Sequence, residues 1–375
     1  MDKKVVLRDF SLLIALLLIG GFFSIMSPQF LGARNLAMLM IELSITATLA
    51  LGMILVILPG HIDLSVGSGV GLVGGIASVL VFQQHWPSPL AMALAAAFGI
   101  LLWLLMGWVI VRERMPAFII TLGGLLIFKG AFWLVIRNAT VPVAPGGTSN
   151  LYSLLTTYYL PSWGGALLGL AVFAGLAAAK LRTVARRKEY GFPVEEPELL
   201  FLKLFLTGQG ILLFVVVMNQ FRGIPLTAMV LGLVLLVVTV LTEHTPFGRY
   251  LYAIGGNEEA AVISGIPVNR VIIGAYGILG AIVAVTGFMQ TAYSGASTTT
   301  VGDLMELDAI AACVIGGVSL KGGRGTTLGV IFGALIMAAL LNGMTLLAVS
   351  PEYKLIARGA VLALAVWMDV RLSRD

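Results

Sequence analysis

Charge is what this chain lacks. Of 375 residues, 11% are Asp, Glu, Lys or Arg and 59% are hydrophobic, with a mean hydropathy of +1.02. A soluble domain carries about 25% charged and roughly 45–50% apolar residues. A soluble fold of this length could not bury so much apolar surface and still coat itself with charge. The shortage excludes a soluble enzyme, a disordered chain and a nucleic-acid-binding domain; the solvent is lipid. Cysteine is almost missing: Cys313 stands alone, so the chain forms no internal disulfide and the redox compartment stays open. Histidine is scarce, and His61 with Asp63 in a Pro-Gly-His-Ile-Asp turn makes no metal site. No Cys/His cluster, nucleophile elbow or usable carboxylate pair occurs, which disfavours an intramembrane enzyme. No period-2 strand set occurs, which argues against a β-barrel.

What is present is a series of apolar runs between short charged, Pro-rich or Gly-rich breaks. A spanning helix needs about 20 apolar residues. Twelve candidates lie at 10–26, 36–58, 64–83, 89–111, 117–136, 164–179, 203–221, 225–242, 270–292, 305–319, 325–347 and 354–370. The expected fold is therefore all-α and polytopic, with 10–12 transmembrane helices in a single domain over 1–375. The short run 305–319 and the Gly-rich run 64–83 are candidates for re-entrant or broken segments. The run 10–26 lacks a small-x-small cleavage site and reads as an uncleaved first helix.

Lys and Arg set the orientation. With the N-terminus in the cytoplasm and every run crossing, 17 of the 23 basic residues fall inside. Arg34, Arg137, Arg222, Lys354 and Arg358 fall outside, and Lys129 lies within a run, where an acid such as Glu42 is a possible partner. Both termini are expected in the cytoplasm. There is no soluble domain and no Walker A pattern, so any energy source is an ion gradient or another polypeptide.

The inside break 243–269 is unlike an ordinary loop. Asn257 suits the cap of a short helix whose first turn holds Glu258 and Glu259, where carboxylates meet the positive helix end. Gly265 ends it and Pro267 prevents continuation. A helix of about two turns is not stable alone, so it reads either as a plain surface helix or as a docking helix ordered by a cytoplasmic motor, with Ala260 and Ala261 allowing close approach.

Glu259-Ala260-Ala261, followed by Gly265, resembles the EAA-x3-G loop of ABC importer permeases. Ala253-Ile-Gly-Gly-Asn-Glu-Glu-Ala-Ala-Val-Ile-Ser-Gly-Ile266 resembles the version in bacterial monosaccharide permeases of the ribose, xylose and galactose type. Ile62-Asp-Leu-Ser-Val-Gly-Ser68, Pro116-Ala-Phe-Ile-Ile-Thr-Leu-Gly123, Glu306-Leu-Asp-Ala-Ile-Ala-Ala312 and Ile315-Gly-Gly-Val-Ser-Leu-Lys-Gly-Gly-Arg-Gly325 are also similar, as is Ala365-Val-Trp-Met-Asp369. Val262 stands where the family frequently has Arg, which removes one positive charge from the docking surface. Ribose-type members resemble a ten-span design. The extra pair of runs over 164–221, around a basic loop at 180–202, resembles the xylose-type members.

The resemblance implies a type II ABC importer-like fold in the bacterial inner membrane and import of a monosaccharide, D-xylose or a related pentose. It implies a second permease copy, an ABC ATP-binding subunit below and a periplasmic sugar-binding protein above. ATP and Mg would be bound by the ATPase, leaving no cofactor in this chain. Coupling is expected at Gly248, Arg249, Asn257, Glu258, Glu259, Ala260, Ala261 and Gly265.

Polar residues inside apolar runs are costly in lipid and face a cavity or a neighbour. Glu42, Asp63, Ser65, Thr121, Glu306, Asp308 and Asn342 are candidates for the translocation pathway. For Asp63, Glu306 and Asp308 helix capping is the alternative, and for Glu42 an interhelical hydrogen bond. The starts at Asp63 and Glu306, each followed by a Gly pair, could be duplicated elements. The glycines of Gly71-x3-Gly75 and Gly325-x3-Gly329-x3-Gly333 suit close helix packing. The rival function is an ion-coupled secondary sugar transporter, which would need such acids and no docking helix.

Overall fold

A computed structural model describes residues 3–372. The side chains of 1–11 and 372–375, which include Lys3, Lys4, Arg8 and Arg374, lie outside the described residues. Fifteen helices follow one another: α1 Lys3–Met26, α2 Ala33–Ile57, α3 Val66–Gln83, α4 Ser88–Glu113, α5 Ala117–Ile136, α6 Leu151–Thr157, α7 Ser162–Glu189, α8 Pro197–Asn219, α9 Leu226–His244, α10 Pro246–Gly256, α11 Glu258–Ile263, α12 Val268–Ser294, α13 Met305–Ile315, α14 Thr327–Leu346 and α15 Pro351–Leu372. Among the described residues, nine are long and apolar enough to cross a membrane. The all-α expectation holds, and each of the twelve apolar runs corresponds to a helix.

The core is built around α2 and α12. From Ala47 to Leu58, α2 is fully enclosed apart from slight gaps, with α9, α12, α13 and α14 packed about it. Glycine lets these helices approach closely. A Cβ at Gly69 would strike the Trp103 ring of α4, and one at Gly71 or Gly75 the Phe132 ring of α5. Gly329 and Gly333 let α14 meet Gly316 and the Ala312 carbonyl at the end of α13. Gly325 is not part of that stripe; it lies before the helix, with φ +157°.

The two doubtful runs differ in outcome. α3 continues through Gly74-Gly75 to Gln83, its last turn opening into a π-helix. α13 stops at Ile315 and the chain runs on without helix to Thr326; Val318 and Ser319 are buried, whereas Lys321 and Arg324 are exposed. The Gly pairs thus have different positions, inside a helix at 74–75 and at a helix end at 316–317.

Two loops contain more structure than composition indicated. The break 137–163 holds β1 Val141–Pro142, which pairs antiparallel with β2 Ala296–Ser297 after α12, and then α6, capped by Asn150. The basic stretch from Lys180 is not a loop. Ala, Lys and Arg are strong helix formers, and α7 carries them to Glu189 before the chain turns at Gly191.

Candidate functional site: a helical loop and a polar cavity

The break between α9 and α12 is two helices, not one. Thr245 Oγ1 accepts from Gly248 N at 3.3 Å and Pro246 occupies the first turn, which starts α10. Gly248, Leu251 and Ile254 form its buried stripe. Gly248 is required there, because a Cβ would collide with the Thr242 and Leu241 carbonyls. Arg249 is exposed.

Asn257 then adopts extended backbone, and its Oδ1 accepts from Ala260 N at 2.9 Å. Gly265, at φ +80°, closes α11. Its N–H donates to the Val262 carbonyl, and that of Ile266 to the Ala261 carbonyl, satisfying groups the helix end would leave orphaned. Glu258, Glu259 and Ala260 are exposed, whereas Ala261 faces inward. Val262 is 58% and Ile263 88% exposed. These two apolar residues were not among the sequence candidates, although an inward Ala261 puts its next two neighbours outward on a helix.

The loop is joined to the connections of the long apolar helices through glycine. A Cβ on Gly255 would overlap the Leu58 carbonyl at the end of α2 and the Gly323 backbone nitrogen. Gly323 N donates to that same Leu58 carbonyl at 2.9 Å, and Tyr252 OH donates to the Gly325 carbonyl at 2.9 Å. Three connections, α2–α3, α9–α12 and α13–α14, meet here by backbone contact.

The polar candidates divide into two groups. Asp63, Ser65 and Thr121 are fully buried together. Asp63 Oδ1 accepts from Ser65 N at 2.7 Å and Ser65 Oγ at 2.6 Å, and Oδ2 accepts from Trp103 Nε1 at 2.8 Å. Thr121 Oγ1 donates to the Ile62 carbonyl at 3.1 Å. The cluster ties the α2–α3 connection to α4 and α5. Glu306 lies against Gly67 in the first turn of α3, where any Cβ would displace it.

Glu42, Asp308 and Asn342 lie in or beside the second group. Tyr293 OH donates to Glu42 Oε1 at 2.9 Å, and Asn342 Nδ2 to Oε2 at 3.2 Å. Asn35 Nδ2 donates in turn to Asn342 Oδ1 at 2.8 Å. Glu42 borders a cavity of about 270 Å³ whose other polar walls include Gln290, Asp303, Asp308, Lys354 and Arg358. Arg358 Nη2 pairs with Asp308 Oδ2 at 3.2 Å. Lys129 pairs with Asp303 at 2.9 Å, not with Glu42. Acids, amides, hydroxyls and cations on facing walls suit a small solute rich in hydroxyl groups. Among the described residues no group of three His, Cys, Asp or Glu is placed to hold a metal ion.

A family model described as "Branched-chain amino acid transport system / permease component" matches residues 35–366. The chain belongs to this permease family. It is similar to the xylose transport system permease protein XylH of Escherichia coli (strain K12), 38% identical over 373 residues, 99% of this chain and 94% of the relative. XylH of Haemophilus influenzae is 38% identical over 368 residues, 98% and 97%. The ribose import permease protein RbsC of Escherichia coli (strain K12) is 34% identical over 357 residues, 95% and 92%. No solved structure matches the chain. This permease is a multi-pass membrane protein, and xylose and ribose permeases are among the relatives its motifs resemble.

Proposed function

We propose that this permease is the membrane-spanning subunit of an ATP-driven ABC importer of a monosaccharide, D-xylose or a related pentose, in the bacterial inner membrane. The observation that carries the reading is α11: a capped helix of six residues between two spans, presenting Val262 and Ile263 to solvent. A helix of six residues is too short to span lipid, so the exposure of this pair supports a partner that covers it. The partner is an ABC ATP-binding subunit, which binds ATP and Mg; a periplasmic sugar-binding protein delivers the solute to the opposite face. Closure of the ATPases moves α10 and α11, and the Gly255–Leu58–Gly323 junction transmits the motion to α2 and α13.

The permease acts as a pair. The ion pair Lys129–Asp303 is 35% and 40% exposed, with Lys129 about 10 Å inside the outer end of α5. An ion pair that open at that depth is costly against lipid tails and faces a second copy or a water-filled passage. The cavity at Glu42 and Asp308 is the hydroxyl-binding part of the sugar route, whereas Asp63, Ser65 and Thr121 hold the fold. The extra α7–α8 pair supports the xylose-type assignment, and the inside excess of Lys and Arg supports cytoplasmic termini.

The rival is an ion-coupled transporter using Glu42, Asp63 or Asp308. Reconstituted liposomes separate the two. With ATPase and binding protein, ATP drives uptake of labelled xylose and an ion gradient alone drives none. Uptake by the permease alone on an H+ or Na+ gradient would overturn the ABC reading.

A further inference from the structure

The cytoplasmic end of α7 carries a feature that transport does not use. From Trp163 to Ala179 the helix is apolar, about 25 Å at 1.5 Å per residue, close to the hydrocarbon thickness of a bilayer. Arg182, Arg186, Arg187 and Lys188 follow, about 4–13 Å beyond that stretch, at the level of lipid headgroups. Gly191 (φ +69°) turns the chain back, with Phe192 N donating to the Arg187 carbonyl at 2.8 Å. The turn folds over the helix end and leaves a pocket of about 540 Å³ lined by Thr183, Arg186, Arg187, Tyr190, Phe192 and Pro193. No carboxylate lines it. Glu195 is already engaged: Lys203 and Lys180 donate to its Oε1 at 3.0 and 3.1 Å and hold its carboxyl below the usual range. Glu196 and Glu198 stand at the start of α8, where the positive helix end favours them.

The rest of the protein covers little of the α7–α8 hairpin, so its long apolar sides are open to lipid. α7 and α8 pack on each other, and their apolar junction with the remainder lies at the outer end, where Val215, Met218 and Ile224 meet Ala37 of α2. Gly175 and Gly210, further in, face open space. Tyr190 and Phe192 are 72% and 63% exposed beside the two arginines. Two guanidiniums and two exposed aromatic rings lining one pocket at headgroup height match a phosphate with apolar tails attached.

We infer that the turn between α7 and α8 is a binding site for the phosphate headgroup of anionic phospholipids, with Arg186 and Arg187 as its ligands. The inference needs only the membrane placement of the hairpin, not the sugar or the energy source. The test uses full-length permease in phosphatidylcholine bilayers with spin-labelled phosphatidylglycerol, compared with spin-labelled phosphatidylcholine. Wild type retains the anionic lipid selectively. Arg186→Gln with Arg187→Gln weakens that selectivity about fivefold per charge removed, whereas Arg186→Lys with Arg187→Lys keeps most of it. Inorganic phosphate at millimolar concentration leaves the selectivity in place. Equal retention by wild type and the Gln variant overturns the inference. So does displacement by free phosphate, or a Gln variant that loses ATPase binding while keeping its lipid.

Discussion

Trp103 Nε1 donates to Asp63 Oδ2 at 2.8 Å in a site closed to solvent, while Ser65 occupies the other carboxylate oxygen. Trp103 also fills the space that Gly69 leaves open. One indole thus fixes both the approach of α3 to α4 and the carboxylate at the start of α3. Trp103→Phe leaves a buried oxygen without its donor, a loss of about 1–3 kcal/mol. The expected result is a lower unfolding midpoint in detergent, with uptake per folded molecule retained. Unchanged stability with abolished uptake would return Asp63 to the translocation pathway.

Gly255 is a point of backbone contact between the α9–α12 loop and the end of α2. Gly255→Val must push the Leu58 carbonyl and Gly323 apart. ATP hydrolysis by the partner should persist while uptake falls more than tenfold. Gly256 has nothing within 4 Å of its Cβ position, so Gly256→Ala at the next residue should be mild. Equal effects from the two would remove the junction from the coupling route.

Cys313 is the single cysteine and is buried, so Cys313→Ala offers a background for thiol labelling. Lys129→Cys should react with a membrane-impermeant maleimide added from outside. Leu134→Cys, from a side chain 79% exposed, should not, because it faces lipid. Failure of both to label would show that α5 carries no water-accessible face.

His61 lies in the α2–α3 connection, and burial pushes its imidazole down to about 4. Its Nδ1 has no hydrogen-bond partner among the described residues. The unfolded chain takes up the proton near pH 6.5 and the folded one only near 4, so the unfolded state binds more protons between these values. Stability is therefore present above about 6.5 and is lost as pH falls, by at most about 1.4 kcal/mol per pH unit. Thermal unfolding in detergent from pH 7.5 to 4.5 should show this slope, and His61→Asn should flatten it. An unchanged slope in the variant would assign the acid sensitivity elsewhere.

The helices were legible because lipid demands long apolar runs and the loops interrupt them with charge or glycine. That signal misplaced the end of α7, where Lys180 to Lys188 read as a break although Ala, Lys and Arg continue a helix. It also missed α10, whose Thr245 cap and Leu251–Ile254 stripe are visible once a second helix is considered. α11 was readable from Asn257 and Gly265 because caps are local. The cavity was not, because Glu42 and Asp308 meet only through the packing of α13 on α2. The partner of Lys129 is not readable from the chain for the same reason: Asp303 is reached through a fold that puts the start of α13 beside α5.

The central claim is that force enters through α11. Its most direct test is ATP-driven uptake of labelled xylose in proteoliposomes holding permease, ATPase and binding protein, with Ile263→Asp and Gly265→Asp measured beside wild type. Both variants should insert normally, bind the ATPase weakly and lose uptake by at least tenfold while the ion gradient remains without effect. ATP-driven uptake at the wild-type rate in both variants would contradict the account.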